Sequence, residues 1–128
     1  MSDPVRRKKV EDAAQALLMK RYEEDGWTVE DTRYGNSFDA KATKGGAVIY
    51  LEAKGTVTAG QSVIVTRGEV EWALGHPGEC VMGVLSDIGF TEEGEVDSTS
   101  GTFGLYRWEP RDDDLDPRAY DWTPPEAM

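Results

Sequence analysis

Phe38-Asp39-Ala40-Lys41-Ala42-Thr43-Lys44-Gly45-Gly46-Ala47-Val48-Ile49-Tyr50-Leu51-Glu52-Ala53-Lys54-Gly55 reads as two strands joined by a two-residue turn. Glycine reaches positive φ without a steric cost, and a tight hairpin needs that at both central positions. With Gly45-Gly46 at the centre, Lys44 faces Ala47 and cross-strand partners have numbers summing to 91, which sets Asp39 opposite Glu52. Side chains alternate along a strand, so Asp39, Glu52 and Lys54 share one face while Ile49, Leu51 and Ala53 point into a core. Two carboxylates facing each other across a ladder, with β-carbons about 4.5–5.5 Å apart, repel unless something between them compensates. A divalent cation compensates, and oxygen donors are what Mg²⁺ prefers, with Mn²⁺ as an alternative. The hairpin therefore predicts a Mg²⁺ site at Asp39 and Glu52, with Lys54 adding a positive charge.

Outward from the hairpin, Val10, Ala13, Ala14, Leu17, Leu18 and Tyr22 recur at helical spacing and predict a helix from about Asp3 to Asp25, stopped at Gly26. Trp27-Thr28-Val29-Glu30 reads as a short strand, and so does Ser62-Val63-Ile64-Val65 after the hairpin. Thr66-Arg67-Gly68-Glu69 has capping-box spacing, and Val70, Trp72, Ala73 and Leu74 suit a short helix ended by Gly75-His76-Pro77-Gly78. Strands at about 80–86 and 102–109 complete an order α-β-β-β-β-α-β-β, an α/β chain of the α+β kind with a mixed sheet flanked by helices. Residues 1–109 form one domain, and 110–128 an acidic, proline-containing tail that Tyr120 and Trp122 could pin to it.

At 128 residues the chain fits a single two-layer core. No apolar run approaches the roughly 20 residues of a membrane span, and the N-terminus lacks the apolar segment of a secretory signal, so no membrane partner and a cytoplasmic location are expected. Cys80, the single cysteine, excludes an internal disulfide and reads as a buried strand thiol. His76, the lone histidine, sits before Pro77 as a solvated loop residue, which leaves histidine-rich zinc sites unsupported. The net charge of −11 is uneven: residues 1–72 hold 11 basic and 12 acidic side chains, residues 73–128 hold 3 and 13. The half with the hairpin is nearly neutral, whereas the other repels nucleic acid.

Asp39, twelve intervening residues and Glu52-Ala53-Lys54 resemble the Asp…Glu-x-Lys signature of restriction-endonuclease-like nucleases. The wider pattern resembles the domain family named after the C-terminal part of the plant NO VEIN protein. Glu11, Gly26 to Val29, Phe38-Asp39, Glu52 to Thr56 and Thr66 to Glu69 carry it, over roughly residues 8 to 90. Phe38 stands where the nuclease pattern usually has a proline. The resemblance implies a restriction-endonuclease-like fold and a Mg²⁺-dependent DNA endonuclease or nicking domain, a subunit of a defence, repair or mobile-element system. Asp39 and Glu52 would ligate the metal with the Ala53 carbonyl, Lys54 would orient water or offset charge, and Glu11 would reach the site from the first helix. A protein partner or homodimer would supply the DNA affinity that an acidic chain lacks.

Simpler explanations compete at several positions. Glu11 can pair with Arg7 or Gln15 on a helix surface. Glu69 is accounted for as the capping partner of Thr66 and is set outside the catalytic group. Arg6-Arg7-Lys8-Lys9 reads first as a solvated basic run, with Arg7 a DNA-contact candidate and Lys41, on the Asp39 face, a better one. Trp27 and Trp72 read as packing aromatics. Two other functions fit the acidity: a non-catalytic module binding a basic protein, and a DNA mimic, which has no use for Lys54.

Overall fold

The computed structural model describes residues 4–119 and 122–128. Helix α1 (Pro4–Glu24) is followed by strands β1 (Thr28–Asp31), β2 (Ala40–Lys44) and β3 (Ala47–Gly55), helix α2 (Arg67–Gly75), and strands β4 (Cys80–Ser86) and β5 (Thr102–Arg107). The strands form one sheet in the order β1-β2-β3-β4-β5. All neighbours are antiparallel except β3 and β4, which run parallel because α2 lies on the crossover between them. The fold is mixed α+β: a five-stranded mixed sheet with two helices. Among the described residues no helix is long and apolar enough to cross a membrane.

The two faces of the sheet have different tasks. α1 buries Val10, Ala14 and Leu18, one residue per turn, against Ala40, Ala42, Leu51 and Leu85. The small side chains of Ala40 and Ala42 let the helix lie close to the sheet. Gly55 allows the closest approach, since a Cβ there would meet the Val10 carbonyl oxygen at 2.7 Å and Val10 Cγ1 at 2.8 Å. Because one of the obstructing atoms is helix backbone, Gly55→Ala should destabilise the fold by about 1–3 kcal/mol, read as a lower urea midpoint.

The hairpin turn is as its glycines dictate, with φ of +54° at Gly45 and +87° at Gly46, both in the left-handed region of a type I′ turn. Lys44 pairs with Ala47 and the expected register holds up to Ala40 with Leu51. Thr66 caps α2 through a complete capping box, its side chain accepting from the Glu69 N–H at 3.1 Å while Glu69 accepts from the Thr66 N–H at 2.8 Å. Cys80 is a buried strand thiol as expected.

Three expectations fail. Ser62–Val65 is not a strand: it is irregular chain, with Val63 and Val65 turned into a cleft over β4 and β5 and Ile64 exposed. Partial burial in the cleft accounts for this alternating pattern without any ladder. His76 is not a solvated loop residue but caps α2, stacked on Trp72 at 4.0 Å with Nδ1 2.8 Å from the Trp72 carbonyl. In the tail, Pro110 is buried and Asp112–Asp114 form a 3-10 turn, but Trp122 is 78 % exposed and pins nothing, and Tyr120 lies outside the described residues.

Candidate metal centre

Asp39, Glu52 and Glu69 converge on the face of the sheet opposite α1, each offering a carboxylate oxygen within 4.8 Å of the others. Glu52 comes from the middle of β3, where Met82 of β4 lies beside it. Asp39 lies one residue before β2, and the ladder stops short of an Asp39–Glu52 pair. Its N–H donates to the Leu51 carbonyl at 2.8 Å although Leu51 already pairs with Ala40, and its carboxylate turns to accept the Ala53 N–H at 2.8 Å. The Asp39 carbonyl in turn accepts from Thr32 N–H and from the buried Gln15 side chain, each at 2.9 Å. This residue is thus fixed by α1, by the chain after β1 and by β3 together.

Glu69 arrives on α2. An aromatic stack holds that helix on the sheet: Phe38 lies 4.8 Å from both Tyr50 and Trp72, and Tyr50 lies 5.2 Å from Trp72. Phe38, immediately before Asp39, therefore anchors the element that delivers Glu69. Lys54, two residues after Glu52 on the same face, donates to both Glu69 oxygens at 2.9 and 3.0 Å. Glu69 is the capping partner of Thr66, as expected, and it is also the third acidic member of the cluster.

The electrostatics are unbalanced at Glu52. It is 2 % exposed, and neither carboxylate oxygen has a hydrogen-bond partner among the described residues. Burial, then the proximity of Glu69 and Asp39, push its carboxyl up to about 10. Burial also raises Asp39, against the opposing pull of the Ala53 N–H and Lys54. Burial acts on Glu69 in the same direction, but the neighbouring Glu52 carboxyl, the Thr66 N–H and the charge of Lys54 outweigh it and hold Glu69 below the usual range. At neutral pH these shifts favour a protonated Glu52 facing an ionised Glu69. An unpaired buried carboxyl of this kind is costly unless a cation replaces that proton.

The other expected residues are placed apart. Glu11 is exposed on α1, beside Arg7, Lys8 and Tyr34, and does not join the carboxylates; Gln15, one turn on, takes the buried polar position. Ala53 meets Asp39 through its N–H. Lys41 is half-buried on β2 between Glu30 and Tyr50 in register. Arg7 is exposed, while its neighbours are engaged: Arg6 over the Phe90 ring, Lys8 with Asp12 and Tyr34, Lys9 with Glu95. Trp27 packs edge-on against Tyr22, and Trp72 belongs to the stack on α2.

The molecule is an α+β domain whose sheet keeps its apolar core under one helix and gathers three carboxylates and a lysine on the other face. Residues 10–93, well over half of the chain, match the family described as Protein NO VEIN, C-terminal, and the chain belongs to that family. The match takes in every member of the cluster and ends before β5. No curated protein and no solved structure matches the chain.

Proposed function

We propose that this domain is a divalent-cation-dependent phosphodiesterase, a DNA endonuclease or nicking domain on a restriction-endonuclease-like fold. The observation that carries the reading is Glu52, a carboxyl 2 % exposed with both oxygens unpartnered and two further carboxylates within 4.8 Å. Asp39, Glu52 and Glu69 would hold Mg²⁺ or Mn²⁺; the donors are all hard oxygens, with no imidazole or thiolate among them to favour zinc. A bound ion supplies polarisation of a phosphoryl oxygen and a more acidic water.

The protein's own groups account for the rest. Asp39 is held rigid by the Ala53 N–H, so the two hairpin carboxylates keep their separation as charge develops. The Lys54 ammonium, 2.9 Å from Glu69, is placed to orient the attacking water and to offset negative charge on a phosphate entering the cluster. The water oxygen bonds to phosphorus, the P–O bond to the leaving sugar oxygen breaks, the water's proton passes to solvent or a carboxylate, and the leaving oxygen takes up a proton from solvent. A chain of net charge −11 binds DNA weakly by itself, so a protein partner or a second copy would raise its affinity in a larger assembly.

Purified protein incubated with supercoiled and linear DNA in Mg²⁺ or Mn²⁺ should produce nicked or linear product. An Asp39→Ala/Glu52→Ala variant with an unchanged circular dichroism spectrum should produce none. Equal cleavage by both proteins, or none by wild type in either cation, overturns the assignment.

A further inference from the structure

Beside the carboxylates, on the same face of the sheet, lies a cleft of about 320 Å³ between β4, β5, the 60–65 segment and the start of the tail. We infer that this cleft receives the base of an unpaired nucleotide, so that the domain acts on single-stranded or locally opened DNA; this rests on the nuclease reading of the adjacent cluster. The register gives the spacing. Glu52 pairs with Met82 and Met82 with Tyr106, a straight row across three strands. Two steps of about 4.8 Å place Tyr106 roughly 10 Å from Glu52, the scale of one nucleotide.

The next row is Lys54, Val84 and Gly104. A Cβ on Gly104 would sit 2.7 Å from the Tyr106 hydroxyl oxygen and 3.0 Å from two of its ring carbons, so the absent side chain lets the ring lie back along β5 toward Lys54's row. Tyr106 nevertheless remains 59 % exposed, an unusual amount for a large ring at a cleft wall. Trp108 lines the same cleft, and its buried Nε1–H has no acceptor among the described residues.

The chemistry of the walls selects which part of a nucleotide enters. Val63, Val65, Met82 and Val84, with the two aromatic rings, suit a flat π-face. Asp114 and Glu109 line the cleft with one cation, Arg107; the two carboxylates outnumber it, disfavour phosphate there and can accept from the ring or exocyclic N–H groups of a base. Phosphate belongs beside Lys54 and the base under Tyr106. A base paired in a duplex has its edges occupied and its faces stacked, so only an unpaired one can enter. β5 lies beyond the matched residues 10–93, so this wall belongs to the part of the chain outside the family match.

The test is fluorescence anisotropy of a short labelled single strand and its duplex, in Ca²⁺ to limit turnover, with wild type, Tyr106→Ala, Tyr106→Phe and Gly104→Val. Wild type should bind the single strand about tenfold or more tighter than the duplex, and an oligonucleotide of abasic units should lose that advantage. Tyr106→Ala and Gly104→Val should each weaken single-strand binding about tenfold, with Tyr106→Phe close to wild type. Tyr106 is exposed, so the alanine variant tests binding without unfolding the protein. Equal affinity for strand and duplex, or for abasic and normal strands, overturns the inference. Cation-dependent nicking of duplex plasmid read alongside separates the two ideas. Nicking that persists while Tyr106→Ala has no effect removes the base cleft and leaves the metal centre. Tyr106-dependent strand binding without cleavage in either cation removes the nuclease reading instead.

Discussion

Glu52→Gln should make the folded protein more stable at alkaline pH while removing its response to divalent cations. Glu52 is held near 10, so between its ordinary 4.5 and that value the folded protein carries a proton that the unfolded chain does not. The unfolded state then binds fewer protons, and linkage makes stability fall as pH rises, by up to about 1.4 kcal/mol per unit for a single group. The raised Asp39 contributes in the same sense. Glu69, held low, stabilises above the usual carboxylate range and loses that contribution only in acid, so it is constant through neutral and alkaline pH. Glutamine keeps the shape of protonated Glu52 and cannot ionise. In EDTA, urea unfolding at pH 6 and 8.5 should show the variant gaining on wild type by on the order of 2–3 kcal/mol at the higher pH. Mg²⁺ should restore wild type by mass action and leave the variant unmoved. Cleavage by the variant should fall at least about a thousandfold, since a bound ion contributes several kcal/mol to the transition state. Parallel stability curves would mean that Glu52 is already ionised and needs no cation.

Glu69 offers the second large effect, because its two roles can be separated. Thr66→Ala removes the hydroxyl that accepts from the Glu69 N–H and should cost about 1 kcal/mol, with cleavage changed only a few-fold. Glu69→Gln keeps a side chain that serves in a capping box equally well, so the cap survives and the melting temperature should fall only by what the ion pair with Lys54 contributes. It removes the carboxylate charge, and with it the ion pair at 2.9 Å that fixes Lys54. Mn²⁺ affinity by calorimetry and kcat/KM should both drop by about a hundredfold or more. Wild-type Mn²⁺ affinity in Glu69→Gln would reduce Glu69 to a helix cap.

What could be read from the chain was local. The Gly45-Gly46 pair determines a type I′ turn, the turn determines the register, and the register places Asp39 and Glu52 on one side. The α1 stripe and the Thr66–Glu69 cap are equally short-range patterns. What escaped depends on contacts between distant segments. Glu69 had a sufficient local explanation, and only the docking of α2 through Phe38, Tyr50 and Trp72 brings it to Lys54. Glu11 shares helical spacing with Ala14 and Leu18, but the buried polar position belongs to Gln15, whose partner is the Asp39 backbone. Val63 and Val65 alternate as a strand does, yet a cleft half-buries them and no ladder forms. The family match supports the combination of hairpin, cap and first helix that suggested it.

The carboxylates divide unevenly between two bodies: Asp39 and Glu52 belong to one rigid hairpin, whereas Glu69 rides on a nine-residue helix attached by a few rings and one ion pair. An ion shared by all three would act as a latch between them, so that loading of the site and seating of α2 become a single event. Amide hydrogens of residues 70–75 would then exchange slowly in the latched protein and quickly in the open one, and their exchange rate would measure occupancy with no substrate present.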